Sequence, residues 1–178
     1  MFKFIWLIIF IMSSSANAAC KSIQYKESRD IVSLEHTVKA GLTISNILWL
    51  PKLIDEKEII VDKGPVVIMV SDDSYISYRV IDKNEVEFIG SKKTPYIFFK
   101  SAFTNPKDIA ECSFIDGVKG IENRSYYAVN NLEYFVHEMG EDITIYILSE
   151  AIDIVVEVTT KNLPRKTVNN IIAKTYIK

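Results

Sequence analysis

The sequence predicts an α+β fold: a mainly antiparallel, meander-like sheet packed by a C-terminal amphipathic helix and one or two short helices. Three observations support this prediction. Short β-branched or alternating apolar runs follow one another along the chain, short turn sequences separate them, and the last residues repeat their apolar side chains at helical spacing. Strands joined by short turns pair in an antiparallel way, and such a sheet commonly keeps one wetter face.

The chain begins with the pattern of a secretory signal peptide over residues 1–18. Lys3 precedes an unbroken apolar run at 4–12, and small side chains follow at Ala16 and Ala18. A membrane span needs about 20 apolar residues, so polar Ser13 comes too early for an anchor. We therefore expect cleavage after Ala18, with residues 19–178 forming a single α+β domain in the periplasm or outside the cell.

Two cysteines, Cys20 and Cys112, remain after that cleavage. In an exported protein an even number of cysteines predicts a disulfide, here closing a loop of about 90 residues. The alternative is a lipid-modified Cys20 that anchors the protein, although Asn17 stands where an aliphatic residue is usual. Neither cysteine has the spacing of a redox or metal motif.

The first half of the chain predicts several strands after a polar leader. A short helix over 29–39 precedes a strand, and Asp72-Asp73 forms a turn. Further strands are predicted at 57–61, 66–70, 74–81, 86–89 and 96–99.

The second half has clearer turn signals. Asn105 and Pro106 open a short helix that extends to Cys112, because Asn caps free amides and Pro suits the first helical position. Asn130-Asn131 and residues 139–142 are turns between strands predicted at 126–129, 132–137, 143–148 and 151–159. The final helix has Asn162 as its cap, Pro164 in its first turn, and the apolar residues Val168, Ile171, Ile172 and Tyr176.

Charge and motifs disfavour several classes of function. A formal net charge of −2 and the lack of a basic stripe disfavour nucleic-acid binding, and no apolar run after residue 18 is long enough to span a membrane. The sequence has no phosphate-binding glycine loop and no serine elbow. His36 and His137 are its two histidines, and Glu141 stands where the zinc-protease motif H-E-x-x-H, which His137 and Glu138 would begin, needs its second histidine. We therefore expect no catalytic residues, no metal and no cofactor.

The number of aromatic side chains is the most unusual feature of the mature chain. Where neighbouring rings point to opposite sides of a strand, one of them lies on the less buried face, and exposed tyrosine near charges is typical of a protein-binding surface. The predicted partner-binding residues are Tyr75, Arg79, Tyr127, Phe135 and Tyr146, together with the acidic turn residues Asp72, Asp73, Glu141 and Asp142. The alternative is that the helices bury these rings.

These observations favour an exported, non-catalytic domain that binds a protein partner in the cell envelope. One version is an inhibitor or immunity protein that neutralises a secreted toxin, with the acidic turns attracting a basic partner. An alternative is a structural or assembly accessory of a surface apparatus, such as a pilus or a secretion system, which adds a strand to a partner. A third, an envelope hydrolase, needs polar groups that meet in a pocket. The oligomeric state stays open.

Overall fold

The computed structural model of the protein describes residues 20, 22–27, 41–44, 48–51, 58–61, 65–118, 120–121 and 123–177. The predicted signal peptide and the predicted helix over 29–39 lie outside these residues. Within them the strands are β1 (Lys26–Glu27), β2 (Gly41–Ile44), β3 (Leu48–Pro51), β4 (Glu58–Val61), β5 (Val66–Ser71), β6 (Ser74–Ile81), β7 (Asn123–Val129), β8 (Leu132–Met139), β9 (Asp142–Leu148), β10 (Val155–Lys161) and β11 (Tyr176–Ile177). The helices are α1 (Lys83–Phe88), α2 (Pro95–Thr104), α3 (Ile109–Gly117) and α4 (Arg165–Lys174).

The main sheet has eight strands in the order β1-β7-β8-β9-β10-β6-β5-β4. Strands β7 to β10 form a meander, and β6 pairs with the far side of β10. All of these pairs are antiparallel except β1 with β7. A smaller sheet has the order β11-β3-β2. The predicted α+β fold with a mainly antiparallel meander is confirmed.

The turn predicted at Asn130-Asn131 joins β7 to β8. Both residues have positive φ angles, 54° and 60°. A two-residue hairpin turn of this kind requires left-handed backbone at both positions, which asparagine tolerates better than other non-glycine residues. The sequence signal and the local geometry agree here.

Buried side chains line both faces of the main sheet, which corrects the expectation of one wetter face. On one face α4 contributes Val168, Ile171 and Ile172 to a core that includes Tyr134 and Val158. Helices α1, α2 and α3 cover the other face, where their apolar side chains pack against residues such as Phe135, Tyr146 and Val155. The predicted position of the C-terminal helix across the sheet is confirmed.

The strands predicted at 86–89 and 96–99 are wrong, because both runs are helical. The Asp82 carboxylate accepts hydrogen bonds from the first amides of α1, and the Thr94 side chain caps α2, in which Pro95 occupies the first turn. In α2 the buried residues fall at helical rather than alternating spacing: Phe98, Phe99, Ala102 and Phe103. A continuous apolar run does not separate a buried strand from a buried helix.

Helix α3 begins later than predicted. Asp108, not Asn105, is its cap: the Asp108 side chain accepts from the Glu111 amide, and the Glu111 side chain accepts from the Asp108 amide. Asn105 instead ends α2. Reciprocal bonds of this kind satisfy two amides at once, so Asp108 defines the helix start better than Asn105 does.

The C-terminal third also differs in detail. Asn162 has a φ of 52° and does not cap α4, whose flanking residue Pro164 makes no side-chain cap bond. Strand β10 begins at Val155 rather than at 151, since the Ala151 amide donates to the Ser149 hydroxyl in a turn. Tyr176 lies in β11, beyond the helix.

Cys20 and Cys112 form the predicted disulfide, with their Cα atoms 5.5 Å apart. The bond ties the segment that precedes β1 to α3, on the face of the sheet that the three short helices cover. In the described part of the chain, the helices are all too short or too polar to cross a membrane.

Candidate protein-binding surface

Both acidic turns predicted from the sequence lie at the same end of the main sheet. Asp72 and Asp73 join β5 to β6, and Glu141 lies between β8 and β9, next to Asp142. The strand register places the start of β6 and the start of β9 on either side of the end of β10. Residues that are far apart in sequence therefore meet at one edge of the molecule.

Asn162 holds the two turns together. Its side-chain amide donates to the Asp73 carbonyl oxygen at 2.8 Å, and its backbone amide donates to the Glu141 carbonyl oxygen at 3.2 Å. The Ser74 hydroxyl donates to the Asn162 carbonyl oxygen at 3.3 Å. The positive φ of Asn162 turns the chain so that one residue serves both turns. The relative position of the acidic residues is thereby fixed.

We name this surface the acidic end and define it by Asp72, Asp73, Tyr75, Glu141 and Asp142. Asp72, Asp73 and Glu141 are exposed, whereas Tyr75 and Asp142 are partly buried. The exposed Lys161 stands opposite both Tyr75 and Asp142 in the sheet register. At these described positions of the sheet, four carboxylates outnumber one lysine, which gives the acidic end a negative potential.

Arg79, another predicted partner-binding residue, lies away from the acidic end. Its guanidinium donates to Glu157 at 2.9 Å and lies 3.9 Å from Glu85. It lines a groove of about 360 Å³ beside α1, together with Phe88, which is 94% exposed. That exposure could not be predicted from the sequence, because the run at 86–89 resembles a buried strand.

Three predicted anchors, Tyr127, Phe135 and Tyr146, are core residues and present no surface to a partner. They are 6%, 1% and 7% exposed. Phe103 of α2 packs against both Phe135 and Tyr146, with ring centroids 4.7 and 5.0 Å away. The alternative, that helices bury these rings, holds for all three. Tyr127 lies in the core under α4, and Phe135 and Tyr146 lie in the core under α1, α2 and α3.

His137 lies in the same aromatic core. It is 2% exposed, and its Nε2 is hydrogen-bonded to the Tyr25 hydroxyl at 2.5 Å. Burial, together with the smaller effect of the nearby positive charge of Arg124, lowers the pKa of His137 to about 4. His137 is therefore neutral near pH 7 and out of reach of a substrate. No group of three or more metal-ligating side chains occurs in the part of the chain that the structure describes.

A polar cluster that the sequence did not reveal lies at the opposite end of the sheet. The Glu133 carboxylate accepts hydrogen bonds from the Tyr96 hydroxyl at 3.1 Å, the Tyr126 hydroxyl at 2.9 Å and the Lys100 ammonium. Burial and the adjacent Glu133 raise the pKa of Tyr126 to about 12, so its hydroxyl stays protonated. Tyr96 and Lys100 are four residues apart on α2, a relation that appears only once the helix is recognised.

The described residues thus include the acidic end, the groove beside α1 and, at the opposite end of the sheet, the polar cluster around Glu133. Comparison of the chain with models of protein families, with curated proteins and with solved structures finds no match.

Proposed function

We propose that this protein is an exported, non-catalytic domain that binds a basic protein through its acidic end. The observation that carries the proposal is the meeting of the two acidic turns, which Asn162 joins by two hydrogen bonds. The disulfide supports a location outside the cytoplasm, because such bonds persist in oxidising compartments.

Three exposed carboxylates in fixed turns suit rapid capture of a positively charged surface. Complementary potentials raise association rates and select the orientation of encounter more than they raise affinity. The turns also belong to a sheet that is packed on both faces, so little conformational entropy is lost when a partner docks. Tyr75 adds an aromatic contact beside the charges.

The specific version of this proposal is an inhibitor or immunity protein that neutralises a secreted toxin. Such a protein has to meet its target quickly and to remain folded outside the cytoplasm. A negative surface on a disulfide-bonded domain meets both requirements when the target surface is basic.

The test begins with the mature protein, residues 19–178, crosslinked to partners in envelope and secreted fractions and analysed by mass spectrometry. The binding rate of the recovered partner is then measured for a variant that carries Asp72→Asn, Asp73→Asn and Glu141→Gln. We expect association at low salt to slow about tenfold or more, and the difference to shrink as salt screens the charges.

A matched control removes three exposed acidic charges away from the acidic end, by Glu87→Gln, Glu150→Gln and Asp153→Asn. This variant has the same net charge and should bind at close to the wild-type rate. Equal slowing in both variants would mean that only net charge matters and would reject the acidic end as the binding surface. Failure to recover a stoichiometric partner would contradict the proposal as a whole.

A second candidate function is that of an assembly accessory which pairs a strand edge with another subunit. The observation that favours it is the short β1, which pairs with β7 at Ser125 and Tyr126. The first strand in the order of a sheet is a usual place for the addition of a partner strand. Light scattering of the mature protein separates the two candidates, because this one requires concentration-dependent self-association or capture of an apparatus subunit.

A further inference from the structure

An open cleft of about 1020 Å³ lies at the end of the sheet opposite the acidic end. It is bounded by α2, by the β7–β8 turn and by the residues that follow β9, and its lining includes Tyr96, Lys100, Asn131, Glu133 and Glu150. Its volume is at the upper end of the range of about 300–1,000 Å³ that small-molecule sites occupy. Nothing in the proposed protein-binding function uses this cleft.

Hydrogen-bond donors and acceptors lie close together in the cleft. The hydroxyls of Tyr96 and Tyr126 donate to Glu133, which leaves their oxygens as acceptors in the lining of the cleft. Lys100 gives one of its three N–H groups to Glu133 and keeps the others as donors, and Asn131 brings an amide with both capacities. A ligand must therefore both donate and accept at short intervals, which is the property of neighbouring hydroxyl groups.

The charges of the cleft oppose an ionic ligand. Lys100 is its one cation among the described lining residues, and that ammonium is already paired with Glu133. Glu150 adds a negative charge at the rim, which disfavours phosphates and carboxylates. A cation in turn would meet the Lys100 ammonium next to Glu133, the less exposed of the two carboxylates among the described lining residues. A neutral ligand avoids both penalties.

Apolar surface completes the cleft. Ala128, Val129, Leu132 and Ile177 lie among its polar groups. The Lys100 ammonium lies 5.6 Å from the centre of the Tyr126 ring, which fixes the end of its flexible side chain. Sugar rings carry C–H faces between their hydroxyls, so they match a lining in which apolar and hydrogen-bonding groups alternate.

We propose that this cleft binds a neutral oligosaccharide, with Tyr96, Lys100, Tyr126, Asn131 and Glu133 as the residues that contact its hydroxyl groups. The inference does not rest on the proposed protein-binding function, because the two surfaces occupy opposite ends of the sheet. A ligand in the cleft leaves the acidic end free.

The test uses chitotriose and maltotriose as neutral probes and inorganic phosphate as the anionic comparison. Each is titrated into the isotope-labelled mature protein while backbone amide signals are followed. We expect saturable shifts with at least one trisaccharide, confined to α2, the β7–β8 turn and residues 149–151. If neither sugar causes saturable shifts at concentrations up to about 10 mM, the proposal is overturned. Tighter binding of phosphate than of either sugar would also overturn it.

A blocking variant connects binding to the cleft. Ala128 is exposed on β7 and lines the cleft, so Ala128→Trp fills it without removing a hydrogen bond. We expect the affinity for the trisaccharide to fall at least tenfold. The matched control is Lys161→Trp, an exposed strand position at the other end of the sheet, which should bind within twofold of wild type. Equal affinity in both variants would place the sugar elsewhere and reject the cleft.

Discussion

Among single residues, His137 shows most directly how burial sets chemistry in this protein. Its ring packs against Tyr25, Phe103 and Tyr146, with centroids 5.4 to 5.6 Å apart. A buried imidazole resists protonation because a charge in an apolar surrounding loses its hydration. The folded protein therefore binds a proton at His137 far less readily than the unfolded chain does.

The free energy of unfolding should consequently fall as the pH drops from about 6.5 towards 4. The pKa of His137 is lowered from 6.5 to about 4 in the folded protein, so in this window the unfolded state takes up more protons and is favoured. The loss between pH 7 and pH 5 should be about 2 kcal/mol, from about 1.4 kcal/mol per pKa unit. Urea denaturation at the two pH values measures it.

His137→Gln is the informative variant, because it keeps a hydrogen-bond acceptor for Tyr25 and does not titrate. Its stability should change little between pH 7 and pH 5. Tyr25→Phe removes the hydrogen bond but leaves the histidine buried, so its pH dependence should resemble that of wild type. An undiminished loss in His137→Gln would show that other groups cause it.

At the residue scale the sequence predicted charge better than burial. Asp72 and Asp73 lie in an exposed turn as expected, because two adjacent carboxylates are costly to bury. Phe135 and Tyr146, which the sequence predicts to bind a partner on the less buried face, are buried. Alternation along a strand shows which residues share a face, but the second face is covered by helices whose position depends on the whole fold.

Among the elements, the three short helices on one face of the sheet depend on their caps. Capping bonds begin each of them, at Asp82, Thr94 and Asp108. Asp108 also pairs with Lys93 at 2.7 Å, and Lys93 contacts the fully buried Glu111. Glu111 is therefore both part of the capping box and the partner of a lysine.

Replacing Asp108 by alanine should destabilise the protein by about 1–2 kcal/mol, because an amide of α3 loses its acceptor. Asn105→Ala, at the residue that the sequence favours as the cap, should cost less than about 0.5 kcal/mol. Chemical denaturation of both variants at pH 7 measures the difference. Similar losses would show that the capping box contributes no more than the end of α2.

The elements with the strongest turn signals were predicted best. Strands β6 and β9 and the hairpin around Asn130-Asn131 follow the sequence closely, because alternation and left-handed turn residues are local properties. The runs at 86–89 and 96–99 were wrong because their apolar residues suit either element. Their caps, Asp82 and Thr94, were the available signal.

At the scale of the whole molecule, two surfaces of different character lie at opposite ends of one sheet. The acidic end depends on strand order, because β10 brings Asn162 between turns that are distant in sequence. The cleft depends on α2 lying against β8, where Tyr96 and Lys100 reach Glu133. Neither juxtaposition is encoded locally, so the sequence predicted the acidic residues but not their meeting, and it did not predict the cleft.

The Cys20–Cys112 disulfide is the covalent link that holds residues 22–27 on this assembly. Strand β1 has two residues, and Tyr25 is held largely by ring contacts with Phe103, Phe135 and His137. Cross-linking residues 92 apart removes much of the freedom of the unfolded chain, which gives on the order of 4 kcal/mol.

Reduction, or the double variant Cys20→Ala with Cys112→Ala, should therefore lower the free energy of unfolding by about 4 kcal/mol. Amide hydrogen exchange in residues 22–27 should accelerate more than in β8, β9 and β10, since only the tethered segment loses its anchor. Reductant should leave the double variant unchanged, which controls for effects on the rest of the chain. The intact mature protein should weigh two protons less than its reduced form. An acylated Cys20, or an unfolding midpoint that reductant does not move, would contradict the role assigned to this bond.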